Sequence, residues 1–198
     1  MNDYICSQKI ILMIHFINNV LKYKSLFHII DIPYRDIHLI QKKVINDLKL
    51  NNLNQLRDKF EGEQYYKNNL HKCLPILALE KLFTKRIFDW DNLDLKSIQS
   101  ILTIENTKVY LKLCEYGKTP EVEKDIDGPV IFFVYDDKKE VWICGLARKE
   151  TISRFQGKER TIGIGSRAKR VVEFIGFEHL KNFSSFEELS LIVKEENE

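Results

Sequence analysis

The chain has 198 residues, of which 44% are hydrophobic and 11% aromatic, with only eight glycines and four prolines. That length suits one domain with a real core, and the composition excludes fibrous or extensively disordered material. Lys and Arg number 31 against 29 Asp and Glu, so the net charge of +2 at pH 7 selects no partner by itself.

Taken in chain order, residues 10–17 form the longest apolar stretch. A bilayer span needs about 20 apolar residues, which this stretch lacks. Only Lys9 precedes it and no small-x-small cleavage pattern follows, so it reads as a buried helix rather than a signal segment. The hydrophobic helix is expected to cover residues 10–30, with Pro33 interrupting it near the start of the next.

Over residues 34–49, Ile37, Ile40, Val44 and Leu48 recur at the spacing of one helical face. Further helix is expected over 53–60 and over 63–86, the latter broken or restarted at Pro75. The pattern changes after Trp90. Residues 108–114 alternate as a strand with period two, and residues 117–120 make a turn. Residues 130–135 are continuously apolar, as in a strand buried on both faces. Asp136, Asp137, Lys138 and Lys139 make a polar turn, and residues 141–147 return as the second strand of a β-hairpin. Short strands are expected over 160–165 and 170–174. A closing helix over 186–193 has Ser184 or Ser185 as its N-cap and Glu187 and Glu188 in its first turn.

The predicted fold class is therefore α/β: a helical N-terminal half packed on a central mixed sheet of about four or five strands, with a C-terminal helix. Residues 1–198 read as one domain, mainly helical over 1–88 and strand-rich over 89–198. Cys6, Cys73, Cys114 and Cys144 are far apart and form no C-x-x-C, which points to free thiols in a reducing cytoplasm. The five histidines lack metal-binding spacing. No complete nucleotide-binding loop or nucleophile elbow is present, and Gly163, Gly165 and Ser166 complete neither.

Two features carry a functional expectation. The first is basic: residues 148–181 hold nine Lys and Arg against four Asp and Glu, while the rest of the chain holds 22 against 25. Arg148, Lys149, Arg154, Lys158, Arg160, Arg167, Lys169 and Arg170 would suit a phosphate backbone, with Phe155 or Phe174 adding stacking. A solvated charged face is the competing reading.

The second is an order of elements: Glu80 within A-L-E-K-L-F, Asp94, the strand ending at Cys114, the turn at 117–120, and D-G-P-V-I-F-F-V-Y-D-D-K-K-E-V-W-I-C-G-L-A-R-K-E over 127–150. In this order the chain resembles the PD-(D/E)xK nuclease superfamily over residues 76–175, best over 127–150. The resemblance implies a restriction-endonuclease-like fold with Asp94 in the first acidic place, as metal ligand, and Lys112 in the lysine place. Glu80 would stand on the preceding helix, and Tyr110 occupies the position of the second carboxylate. Glu105 and the short matches Asp47-x-Lys49, Asp94-x-Lys96, Asp136-x-Lys138 and Asp137-x-Lys139 are lesser candidates.

It further implies a Mg²⁺-dependent endodeoxyribonuclease, or a relative that keeps DNA binding and has lost cleavage, with a homodimer as one assembly. Hard Mg²⁺ prefers carboxylate oxygens, and a lysine two residues along a strand shares the face of its carboxylate. The rival reading is a protein-interaction or regulatory subunit with no nucleic-acid role. Convergence of Asp94, Glu80 and Lys112 would favour the first, scatter the second.

Overall fold

The computed structural model describes residues 2–58, 61–136, 139–163 and 168–195, with side chains from residue 10 onward except at 57 and 58. Val130–Asp136 (β5) and Glu140–Ala147 (β6) pair antiparallel, with Asp136 opposite Glu140 at the turn. Asp137 and Lys138 lie outside the described residues. β5 is apolar at consecutive positions because both its faces are buried: Ile131 and Phe133 enter one core, Val130, Phe132 and Val134 the other.

Around this hairpin stands a five-stranded mixed sheet ordered β1-β6-β5-β3-β2. Its other members are His28–Asp31 (β1), Ile101–Ile104 (β2) and Thr107–Glu115 (β3). β3 and β5 are parallel, and the remaining pairs are antiparallel. A three-stranded antiparallel sheet, ordered β4-β8-β7, is made by Glu121–Glu123 (β4), Gln156–Ile162 (β7) and Lys169–Phe174 (β8).

One face of the large sheet is covered by Tyr34–Asp47 (α2), Gly62–Phe83 (α3) and Phe186–Lys194 (α5), which contribute Ile37, Ile40, Val44, Leu74, Leu77 and Leu189 to the first core. The other face meets the small sheet and Lys149–Arg154 (α4): Phe132 stacks on Phe174 with centroids 4.5 Å apart, and Val122, Val172 and Ile152 join them. The helical N-terminal part, mixed sheet and C-terminal helix agree with the sequence expectation. Ser185 caps α5, accepting from the Glu188 amide at 3.2 Å.

Four local expectations need correction. Residues 10–30 do not form one helix. Asn2–Asn19 (α1) ends early, a 3₁₀ turn follows over Leu21–Leu26, and β1 pairs with the edge of β6. Pro75 does not break α3, which runs through it; its neighbours Leu74 and Ile76 are buried, and that packing offsets the one lost backbone bond. Of the helix expected over 53–60, residues 53–58 form a 3₁₀ turn, Leu53–Asp58, and 59 and 60 lie outside the described residues. The β2–β3 hairpin was not expected; it turns on Glu105 and Asn106, both at positive φ (48° and 64°).

A β-bulge shapes the end of β6. Phe132 opposes Gly145 while Phe133 opposes Ile143, leaving Cys144 as the extra residue. The bulge lets Ile143 and Leu146, three residues apart, both enter the first core. Gly145 has φ +126°, and a Cβ there would stand 2.9 Å from the Lys181 carbonyl oxygen, so only glycine fits without displacement.

Candidate functional site

The residues assigned to a nuclease centre do not meet. Glu80 lies near the end of α3, where its Oε1 accepts from the Ile87 and Phe88 amides, both at 2.7 Å, and its Oε2 from Trp90 Nε1 at 2.6 Å. It ties down the segment that leaves α3. Asp94 is exposed and caps a turn, its Oδ1 accepting from the Lys96 amide at 3.0 Å. Its charge is felt by Tyr65, near the start of α3. Tyr65 and Glu80 stand 15 residues apart on α3, and among the described residues no hydrogen bond joins Asp94 to Glu80.

Lys112 faces the opposite side of the sheet. Along β3, Val109 and Leu111 enter the first core while Tyr110 and Cys114 pack with the second, and alternation puts Lys112 with the latter pair. It is half-buried and lines a cavity of about 310 Å³ with Glu121, Glu123, Ile162, Lys169 and Val171. Among the described residues no hydrogen bond or ion pair reaches its ammonium, and burial pushes its pKa below the ordinary lysine value against the pull of Glu123. Tyr110 donates a hydrogen bond to Asp127, which raises the phenol pKa and lowers that of the carboxyl.

Mg²⁺ does not fit this arrangement. Both oxygens of Glu80 are spent on protein donors, Asp94 stands alone in solvent, and no group of three His, Cys, Asp or Glu side chains suited to a metal occurs among the described residues. Glu105 is a turn residue whose carboxylate pairs with Lys194 at 3.3 Å.

The basic group is largely answered by carboxylates. Arg160 forks onto Glu121 with two 2.6 Å bonds, Lys169 reaches Glu123 at 3.0 Å, and Arg170 lies 3.8 Å from Glu159. Arg148 caps α4 and bonds Glu195 at 2.5 Å. Arg154 lies over the Phe155 ring, 5.4 Å from its centroid. Lys149 opens α4 and Lys158 lies on β7, both exposed. Arg167, Gly165 and Ser166 lie outside the described residues.

The aromatic rings offered for base stacking are engaged. Phe174 is 1% exposed, and Phe155 stacks on His179 at 4.0 Å. Thus the structure brings together Lys112 and Lys169 on one cavity, with Arg160 behind Glu121, and leaves Asp94 and Glu80 elsewhere.

Two features escaped the sequence reading. One is Glu115, at the end of β3. Lys118 (2.5 Å) and Lys67 (2.6 Å) hold its pKa down at about 2, and His71 lies 3.7 Å away. The other is α1. Its apolar residues were expected in the core, yet Ile10, Ile11, Leu12, Met13, Ile14 and Ile17 are 38–64% exposed, and among its described side chains only Phe16 is fully buried. An apolar segment without charges looks the same in sequence whether a core or a partner covers it.

Comparison with protein-family models, curated proteins and solved structures finds no match to this chain.

Proposed function

We propose that the chain is a protein-interaction component: it presents the apolar side of α1 to a protein partner whose docking face is likewise uncharged. The observation that supports this reading is the group of six large aliphatic residues of α1 left in water. Monomeric proteins rarely leave contiguous apolar patches beyond a few hundred Å², and larger ones mark interaction sites. The scatter of Asp94, Glu80 and Lys112 favours the same side of the choice posed by the sequence.

The test is a pair of measurements on the purified chain. Incubation with plasmid and single-stranded DNA in Mg²⁺, Mn²⁺ or EDTA is expected to give no metal-dependent cleavage. An environment-sensitive dye is expected to bind, and to be lost on Ile14→Ser. Metal-dependent nicking that disappears in Asp94→Ala would overturn the reading.

A second reading, association with DNA by a relative of the nucleases that has lost cleavage, draws on one observation: Lys112, without an ion partner among the described residues, shares its cavity with Lys169. Binding through such cations weakens linearly in log–log terms as salt rises. Lys112→Met together with Lys169→Ala should then flatten that slope by about one unit per lost phosphate contact. An unchanged slope removes this surface from consideration.

A further inference from the structure

The apolar side of α1 needs an occupant, and its chemistry narrows the choice. From Ile10 to Asn19 the helix carries no Asp, Glu, Lys or Arg. Its one titratable side chain there, His15, is tied to Thr119 Oγ1 at 2.9 Å, and Asn19 Nδ2 donates to the His15 carbonyl. The rest of the chain touches this part of α1 along a narrow strip, where Phe16 meets Tyr116 edge to face at 5.0 Å. Ile10, Ile14 and Ile17 follow the four-three spacing of a helix-pairing seam, flanked by Ile11 and Met13.

We infer that this seam is closed by a second copy of the chain, α1 against α1 across a twofold axis. The inference rests on the interaction reading above and names its partner. A surface with no charge requires no complementary charges opposite, and its one exposed amide side chain, Asn18, can pair with the same amide of a second copy, so the surface is complementary to itself, as a twofold contact demands. The area is also sufficient. At roughly 200 Å² for a whole aliphatic residue, Ile10, Ile11, Met13, Ile14 and Ile17 leave about 500 Å² in water on the seam side, and two copies together reach about 1,000 Å², the threshold for a specific interface.

A lipid surface suits α1 less well. Interfacial helices carry a Lys- and Arg-rich polar face, whereas α1 has a single lysine, Lys9, and one acid, Asp3.

The experiment is light scattering with size separation on the full chain over a range of micromolar concentrations. Two chains per particle are expected. Ile14→Lys should weaken the dimer at least tenfold by burying an unpaired charge, with the circular dichroism spectrum unchanged. Leu191→Lys, at an exposed apolar residue of α5, should leave the dimer intact. A dimer that survives Ile14→Lys, a mass above two chains, or a monomer that co-sediments with anionic vesicles would each overturn the inference. A monomeric wild type that binds the dye through α1 overturns self-pairing and leaves the interaction reading standing. A monomer that binds no dye sinks both.

Discussion

At the scale of single residues, charge placement here is mostly structural. Glu115 joins the end of β3 to α3 through Lys67 and His71, and to its own turn through Lys118. Its folded pKa of about 2 lies below the ordinary 4.5, so its stabilisation is complete above pH 4.5 and is lost as pH falls toward 2. Burial lowers the pKa of His71 below the ordinary 6.5 against the pull of Glu115, so protonation also opposes folding, beginning below pH 6.5. Urea midpoints measured from pH 7 to pH 2 should therefore fall in the wild type. The descent below pH 4.5 should be shallower in Glu115→Gln, and parallel curves would contradict this assignment. Glu80 makes a sharper case. Truncation by Glu80→Ala leaves two amides and an indole N–H without their acceptor, which should cost about 2–4 kcal/mol in denaturant unfolding. A structurally silent Glu80→Ala would reopen a chemical role for the residue.

At the scale of elements, the β5–β6 hairpin depends on its bulge. Gly145→Ala would force an alanine to φ +126° with its Cβ against the Lys181 carbonyl, which also accepts from the Leu146 amide at 2.9 Å. Strain and displacement together should destabilise by about 2 kcal/mol or more. Amide exchange would be expected to quicken at Leu146 and Lys181, which bond each other across the bulge. Wild-type stability in this variant would mean that the strand end can shift freely. Helix α5 and strand β5 were legible beforehand because each carries its own signal: an N-cap serine with acids behind it, and an unbroken apolar run. β1 was not legible. Its four residues carry too short a pattern to separate strand from helix, and its identity comes from the open edge of β6.

At the scale of the whole molecule, two cores share one sheet. Phe132 is fully buried and meets Phe174 and Phe177 at 4.5 and 5.7 Å, so it fastens the small sheet to the large one. Phe132→Ala should cost about 3–5 kcal/mol. If the sheets unfold as one unit, fluorescence and circular dichroism will keep a single coincident transition; a split would show that the small sheet melts alone. The same two-sided plan explains the failure of the expected nuclease triad. β3 sends Leu111 into one core and Lys112 toward the other, so an acid on the α3 side cannot share a site with that lysine.

The sequence by itself determined what short-range periodicity and chain chemistry can carry: the α/β class, the face of α2, the β5–β6 hairpin, the cap of α5 and the apolar setting of Cys114 and Cys144. Only the tertiary structure decided which strand lines up beside which, whether Ile10 to Ile17 meet a core or water, and which carboxylate answers each of Arg160, Lys169 and Arg170. The physical reason is range. A helix or strand is specified by neighbours a few residues away, whereas Arg160 and Glu121 are 39 residues apart in the chain and become partners only because β4 and β7 flank β8. An exposed apolar helix is the limiting case, since its residues carry the same local pattern whether they meet a core or water.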